Sequence, residues 1–127
     1  MKPQNNKADT RLGTYHERLK KTMDEYVHLV YALTKRFPKD ELYGVISQLR
    51  RSALSVILNY VEGYAREKDK VHKNFLEISY GSLKESKYLI QFSYDEGYML
   101  KVDYDKAIVL ADTIGAMLWG ILKNMNT

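Results

Sequence analysis

The 127-residue chain contains no cysteine, two prolines and seven glycines. Without cysteine there are no disulfides, no thiolate chemistry, no Cys-type zinc sites and no iron–sulfur clusters. So few chain breakers leave little room for turns, which points to long helices. No apolar run approaches the ~20 residues needed to span a bilayer. The start, MKPQNNKADTRLG, lacks the apolar centre of a signal peptide, so a cytosolic location is expected. Dinucleotide-binding glycine motifs, a Walker loop and a nucleophile elbow are all missing. What is there is ordinary for a globular protein: 45% hydrophobic and 28% charged residues. This length fits one domain with a buried core. The net charge of +4 favours an acidic partner such as nucleic acid.

Residues 1–13 lack periodicity and read as a flexible tail, leaving 14–127 as the domain. The first break in the domain is Phe37-Pro38-Lys39-Asp40, where Pro38 stops one helix and opens the next. The second is the charged run Arg66-Glu67-Lys68-Asp69-Lys70. The third centres on Gly97 as a C′ residue, with Asp103 as the N-cap of the last helix. Tyr15, Leu19, Met23, Tyr26, Val27, Val30, Leu33 and Phe37 recur at a 3–4 spacing, giving one apolar face over 14–37. Residues 103–126 repeat the pattern through Ala107, Ala111, Ile114, Leu118 and Leu122. Short links between long amphipathic helices make the expected fold all-α, an antiparallel up-down-up-down four-helix bundle.

The two middle stretches each carry two apolar stripes. At about 100° per residue, the second stretch sets Leu49, Ala53, Val56 and Tyr60 on one face. Leu54, Leu58 and Val61 fall on the opposite one. The third has Phe75, Ile78, Leu89 and Phe92 on one stripe and Leu76, Leu83 and Ile90 on another. A bundle helix needs one core stripe, and a large apolar patch left in water marks an interface. Leu54, Leu58, Val61, Leu76, Leu83 and Ile90 are therefore the expected oligomer contacts. The alternative is a splayed bundle whose middle helices are more central.

A polar stripe, Gln48, Ser52, Ser55, Asn59, Glu62 and Arg66, borders the main face of the second stretch. Opposite it, Ser82 and Glu85 interrupt an apolar stripe. Antiparallel pairing brings Glu85 level with Arg51 and Ser55, which predicts a buried Arg51–Glu85 ion pair. The competing reading, a catalytic carboxylate, lacks a histidine or second inward acid to join it. Glu25-Tyr26-Val27-His28 matches half of a di-iron motif, but the second copy such sites require is missing. No catalytic residue, metal site or cofactor is expected.

Folding the chain as a bundle gathers basic residues at one pole: Arg18, Lys20, Lys21, Arg66, Lys68, Lys70 and Lys73. The other pole balances acids against bases. The tyrosines, 11 in all, can stack on bases, but most fall at core spacing and read as core.

Five segments stand out: Glu41-Leu42-Tyr43-Gly44, Gln48-Leu49-Arg50-Arg51-Ser52-Ala53, Asn59-Tyr60-Val61-Glu62-Gly63-Tyr64-Ala65-Arg66, Gly81-Ser82-Leu83-Lys84-Glu85 and Met117-Leu118-Trp119-Gly120. Together they resemble a bacterial four-helix-bundle family encoded in 23S rRNA intervening sequences. Some members carry a ribosomal-protein label derived from that genomic location. The family is in turn similar to the accessory variability protein of diversity-generating retroelements, a nucleic-acid-binding homopentamer. The resemblance implies a non-enzymatic oligomer that binds RNA or DNA with little sequence preference. An oligomeric scaffold for a protein partner, free of nucleic acid and membrane, is the alternative.

Overall fold

The computed structural model describes residues 7–66 and 69–125, and among these there is no strand. Four α-helices carry the fold: α1 (Lys7–Thr34), α2 (Ser47–Tyr64), α3 (Asp69–Asp95) and α4 (Lys101–Leu122). Each packs chiefly on its two neighbours in the order α1, α2, α3, α4 and back to α1, which is the expected bundle. None of the helices is long and apolar enough to cross a membrane.

α1 runs back to Lys7, so residues 7–13, counted with the tail, are helical. They lack core spacing, but Lys7, Ala8, Arg11 and Leu12 are good helix formers and no proline interrupts the stretch. Its core stripe buries Leu19, Met23, Tyr26, Val30 and Leu33. At roughly 1.5–3 kcal/mol per fully buried large apolar side chain, such stripes are the main source of stability.

The α1–α2 link is more elaborate than a proline stop. Phe37 precedes Pro38, whose ring disfavours helical backbone at the residue before it. A 3-10 turn (Lys39–Glu41) and a π turn (Leu42–Ile46) follow before α2 begins. Glu41 organises this corner. Its carboxylate accepts from the Val45 amide at 3.2 Å and from the Tyr98 hydroxyl at 3.0 Å. Gly44 is non-helical at φ −108, ψ −114, and a Cβ there would lie 2.6 Å from Glu41 Oε1. Glycine is the residue that leaves space for this carboxylate.

Gly97 ends α3 as expected, at φ 81. The Tyr98 amide donates to Ser93 O and the Gly97 amide to Tyr94 O, both at 2.9 Å, the bond pair of a Schellman cap. Asp103 is not the N-cap of the last helix. Extended Leu100 takes that place without a side-chain cap bond. Asp103 lies in the first turn, where its charge favours the helix N-terminus, and its carboxylate sits 3.7 Å from the Arg36 guanidinium.

α2 and α3 make the most extensive helix pair, and small hydroxyl residues line their contact. Ser55 and Ser82 share a hydrogen bond at 2.8 Å, and Ser79 donates to Val56 O at 2.6 Å. Ser86 bonds the buried Tyr26 hydroxyl at 2.7 Å. These serines settle which stripe of α3 faces inward. Leu76, Leu83 and Ile90 share the Ser79–Ser86 face and are fully buried, so they are core residues and not oligomer contacts. The outward stripe is the other one, with Ile78 and Phe92 exposed and Phe75 and Leu89 partly buried.

Candidate nucleic-acid interface at one pole

Antiparallel packing brings the early part of α1, the end of α2, the start of α3 and the end of α4 to one pole. Tyr15 donates its hydroxyl to Met117 O at 2.9 Å, joining α1 to α4. His16 joins α1 to α2 through both ring nitrogens, Nδ1 to the Tyr60 hydroxyl at 2.6 Å and Nε2 to the Tyr64 hydroxyl at 2.8 Å. The Tyr64 ring meets the His72 ring edge-on at 4.5 Å between centroids, which reaches α3. Gly63 permits that approach, since a Cβ there would lie 3.2 Å from Phe75 Cβ and 3.3 Å from His72 Cδ2.

Burial lowers the pKa of His16, and the neighbouring His72 lowers it further. Its imidazole is therefore neutral at neutral pH. One nitrogen of a neutral imidazole donates and the other accepts, so the two tyrosine hydroxyls take opposite roles. Burial raises the pKa of the Tyr60 hydroxyl, with Tyr15 adding to it, so that the proton stays on.

Two cavities open beside this cluster. One, of about 300 Å³, is lined by His16, Glu17, Lys20, Tyr60, Val61 and Tyr64. The other, of about 420 Å³, shares Tyr64 and His16 and extends to Gly120, Ile121 and Asn124.

The basic residues expected here fall around the cluster. Lys20 borders the first cavity. The Arg18 guanidinium lies 6.0 Å from the Tyr15 ring centroid, and that of Arg66 5.5 Å from the Phe75 ring while pairing with Glu62. Lys21 and Lys70 are exposed and Lys73 is half-buried. Lys68 lies outside the described residues. Glu17 and Glu62 temper the charge without matching it. The sequence reading missed His16, Tyr60, Tyr64 and His72 as a unit. The available signal was that two histidines and three tyrosines sit at helix ends converging on one pole.

Elsewhere, Arg51 and Glu85 do pair across α2 and α3, but at the surface: their side chains are 57% and 43% exposed. The expectation of a buried pair is corrected. Helix spacing had placed Glu85 within the Phe75–Ile78–Leu89–Phe92 stripe, and that stripe proves to be the one open to solvent. Around the pair lies an apolar face in which Leu58 is 57% and Ile78 51% exposed, with Leu54, Val61 and Phe92 beside them. Among the described residues no group of three His, Asp or Glu side chains is placed to hold a metal ion.

Comparison with known proteins agrees with this architecture. A solved structure from Bacteroides thetaiotaomicron, a protein of unknown function from the S23 ribosomal protein family, superposes with a TM-score of 0.76 at 21% identity. The match covers 84% of this chain and 99% of that one, and it establishes the shared fold. Among curated proteins no match is found. The family model of the 23S rRNA-intervening sequence proteins matches residues 17–120, which takes in all of α2 and α3 and most of α1 and α4, and the chain belongs to that family.

Proposed function

We propose that the protein is a non-enzymatic, oligomeric nucleic-acid-binding accessory protein that holds phosphates at the pole formed by α1, the α2–α3 turn and the end of α4. The observation that supports this reading is the grouping of Arg18, Lys20, Lys21, Arg66, Lys70 and Lys73 around an aromatic cluster with open cavities. Lysine and arginine around a phosphate backbone position a protein without specifying sequence. A single protomer offers few net charges here, so affinity depends on repetition. The exposed face of Leu54, Leu58, Val61, Ile78 and Phe92 supports self-association. The family resemblance favours a pentamer. Copies arranged with their basic poles on one rim gain through effective concentration.

The test is an anisotropy titration of RNA and DNA oligomers at rising salt, since counterion release makes phosphate binding fall steeply. The triple change Lys21→Glu/Lys70→Glu/Lys73→Glu is set against Lys35→Glu/Lys39→Glu/Lys106→Glu at the far pole. Loss confined to the first triple supports the reading. Equal loss in both leaves only non-specific charge and ends it.

A second reading, an adaptor for a protein partner, draws on the α3–α4 face. There the half-exposed Trp119 lies 6.2 Å from the Tyr80 ring and Lys84 caps Tyr80 at 5.1 Å. Tryptophan and tyrosine anchors beside a cation are typical of interface centres. A wild type that binds neither RNA nor DNA at low salt, yet captures a protein from nuclease-treated lysate, favours the adaptor.

A further inference from the structure

The basic pole has more than charge. A surface that only neutralises phosphates needs lysines and arginines on any convex face, yet here they surround two recesses with aromatic walls. Tyr64 and His16 line both, and the His16 ring is tied at each nitrogen by a tyrosine hydroxyl. That double tie fixes the rings before any ligand arrives, so little side-chain freedom is lost on binding. The first recess offers Tyr60, Tyr64 and Val61 as apolar wall, Lys20 as a cation at the rim and Glu17 as an acceptor beside it. A flat heterocycle with an anion one bond chain away matches all of these at once. We infer that the Tyr64–His16 recess receives one unpaired base of a single-stranded nucleic acid, with Lys20 on the adjoining phosphate.

This deepens the nucleic-acid reading and rests on it. Stacking on an aromatic face is sequence-tolerant because every base has a π-face, which fits a recess walled mainly by rings. Glu17 can accept from an exocyclic amine, so adenine, cytosine and guanine are favoured over uracil and thymine. A duplex cannot present such a base without unpairing it, so single strands bind better than duplexes of the same charge density.

The experiment uses wild-type protein and short single-stranded oligomers, as RNA and as DNA of one sequence, carrying a central 2-aminopurine, a central adenine or a central abasic site. Expected are a change in 2-aminopurine fluorescence on binding and about tenfold weaker binding of the abasic oligomer than of the adenine one. Tyr64→Ala should lose about the same factor on the intact oligomer and nothing further on the abasic one. Tyr64→Phe, which keeps the ring, should retain most of the affinity. Circular dichroism of both variants establishes that they are folded. Abasic and intact oligomers binding equally would overturn base insertion while leaving the phosphate reading in place. No binding of any oligomer at low salt removes both. RNA and DNA arms that differ show whether the 2′-hydroxyl contributes, and equal arms assign the site to base and phosphate alone.

Discussion

The Arg51 guanidinium meets the Glu85 carboxylate across the α2–α3 seam, in the midst of an exposed apolar face. Leu58 follows Arg51 by seven residues, and Ile78 and Phe92 flank Glu85 by seven on either side, so all share one face of the helix pair. Leu58, Ile78 and Phe92 are open to solvent in the single chain. The ion pair therefore joins two helices while standing in the centre of an exposed apolar surface.

In the single chain this pair contributes little. Exposed ion pairs are worth roughly 0–1 kcal/mol, whereas removing one partner of a buried pair costs roughly 3–5 kcal/mol. Glu85→Gln should lower the urea-unfolding free energy of dilute, monomeric protein by no more than about 1 kcal/mol. A loss near 3 kcal/mol would show that the pair is shielded from water after all.

Self-association should separate the two stripes of α3 and their counterparts on α2. Leu58→Glu adds charge to the exposed face, and helicity should persist while light scattering reports a smaller particle than wild type. Leu83→Glu puts the same charge into a site 1% exposed, and it should unfold the chain. A wild type that scatters as a monomer at micromolar concentration, or a Leu83→Glu variant that folds, contradicts this assignment.

Helix number and the three breaks were legible in the sequence, because 3.6-residue periodicity, Pro38 and Gly97 act locally. Which stripe of α3 faces inward was not. Leu76–Leu83–Ile90 and Phe75–Ile78–Leu89–Phe92 are both apolar at helical spacing. The choice is made by Ser79 and Ser86 fitting against Val56 O and the Tyr26 hydroxyl, a tertiary relationship. The Asp103 cap failed for a related reason, since its Arg36 partner lies in the turn after α1, far away in sequence. The aromatic cluster escaped notice because each tyrosine taken alone reads as core. Only the convergence of α1, α2 and α3 makes His16, Tyr60, Tyr64 and His72 one assembly.

Two helix-interior glycines should respond oppositely to alanine. A Cβ at Gly81 meets nothing within 4 Å, so Gly81→Ala should gain helix propensity, about 0.5–1 kcal/mol. At Gly63 the same methyl group would press on Phe75 and His72 at the α2–α3 contact. Gly63→Ala should forfeit that gain, and it should weaken nucleic-acid binding by shifting His72 against Tyr64. Denaturant midpoints of the two variants give the comparison, and stabilisation by both would mean the α2–α3 contact near His72 is slack.

The last expectation concerns pH. Burial, and then His72, hold the His16 pKa below its ordinary value, so the unfolded chain takes up this proton before the folded one. Stability from this group is therefore complete above the unfolded pKa of about 6.5. It declines as the pH falls through that value, and the decline stops once the folded form is protonated as well. The lost order has a structural meaning: an imidazolium donates from both nitrogens, so the acceptor it offered to one tyrosine hydroxyl disappears. Carboxylates titrating at lower pH also change stability, so the contribution of His16 is read by difference. Urea midpoints of wild type and His16→Gln are compared at about pH 7.5 and about pH 5.5, spanning the unfolded histidine pKa. Wild type should lose more stability across that interval than His16→Gln, and the gap between the two should narrow at the lower pH. A gap that stays constant would show that His16 titrates alike in folded and unfolded chains, and that the ties to Tyr60 and Tyr64 do not depend on its neutral form.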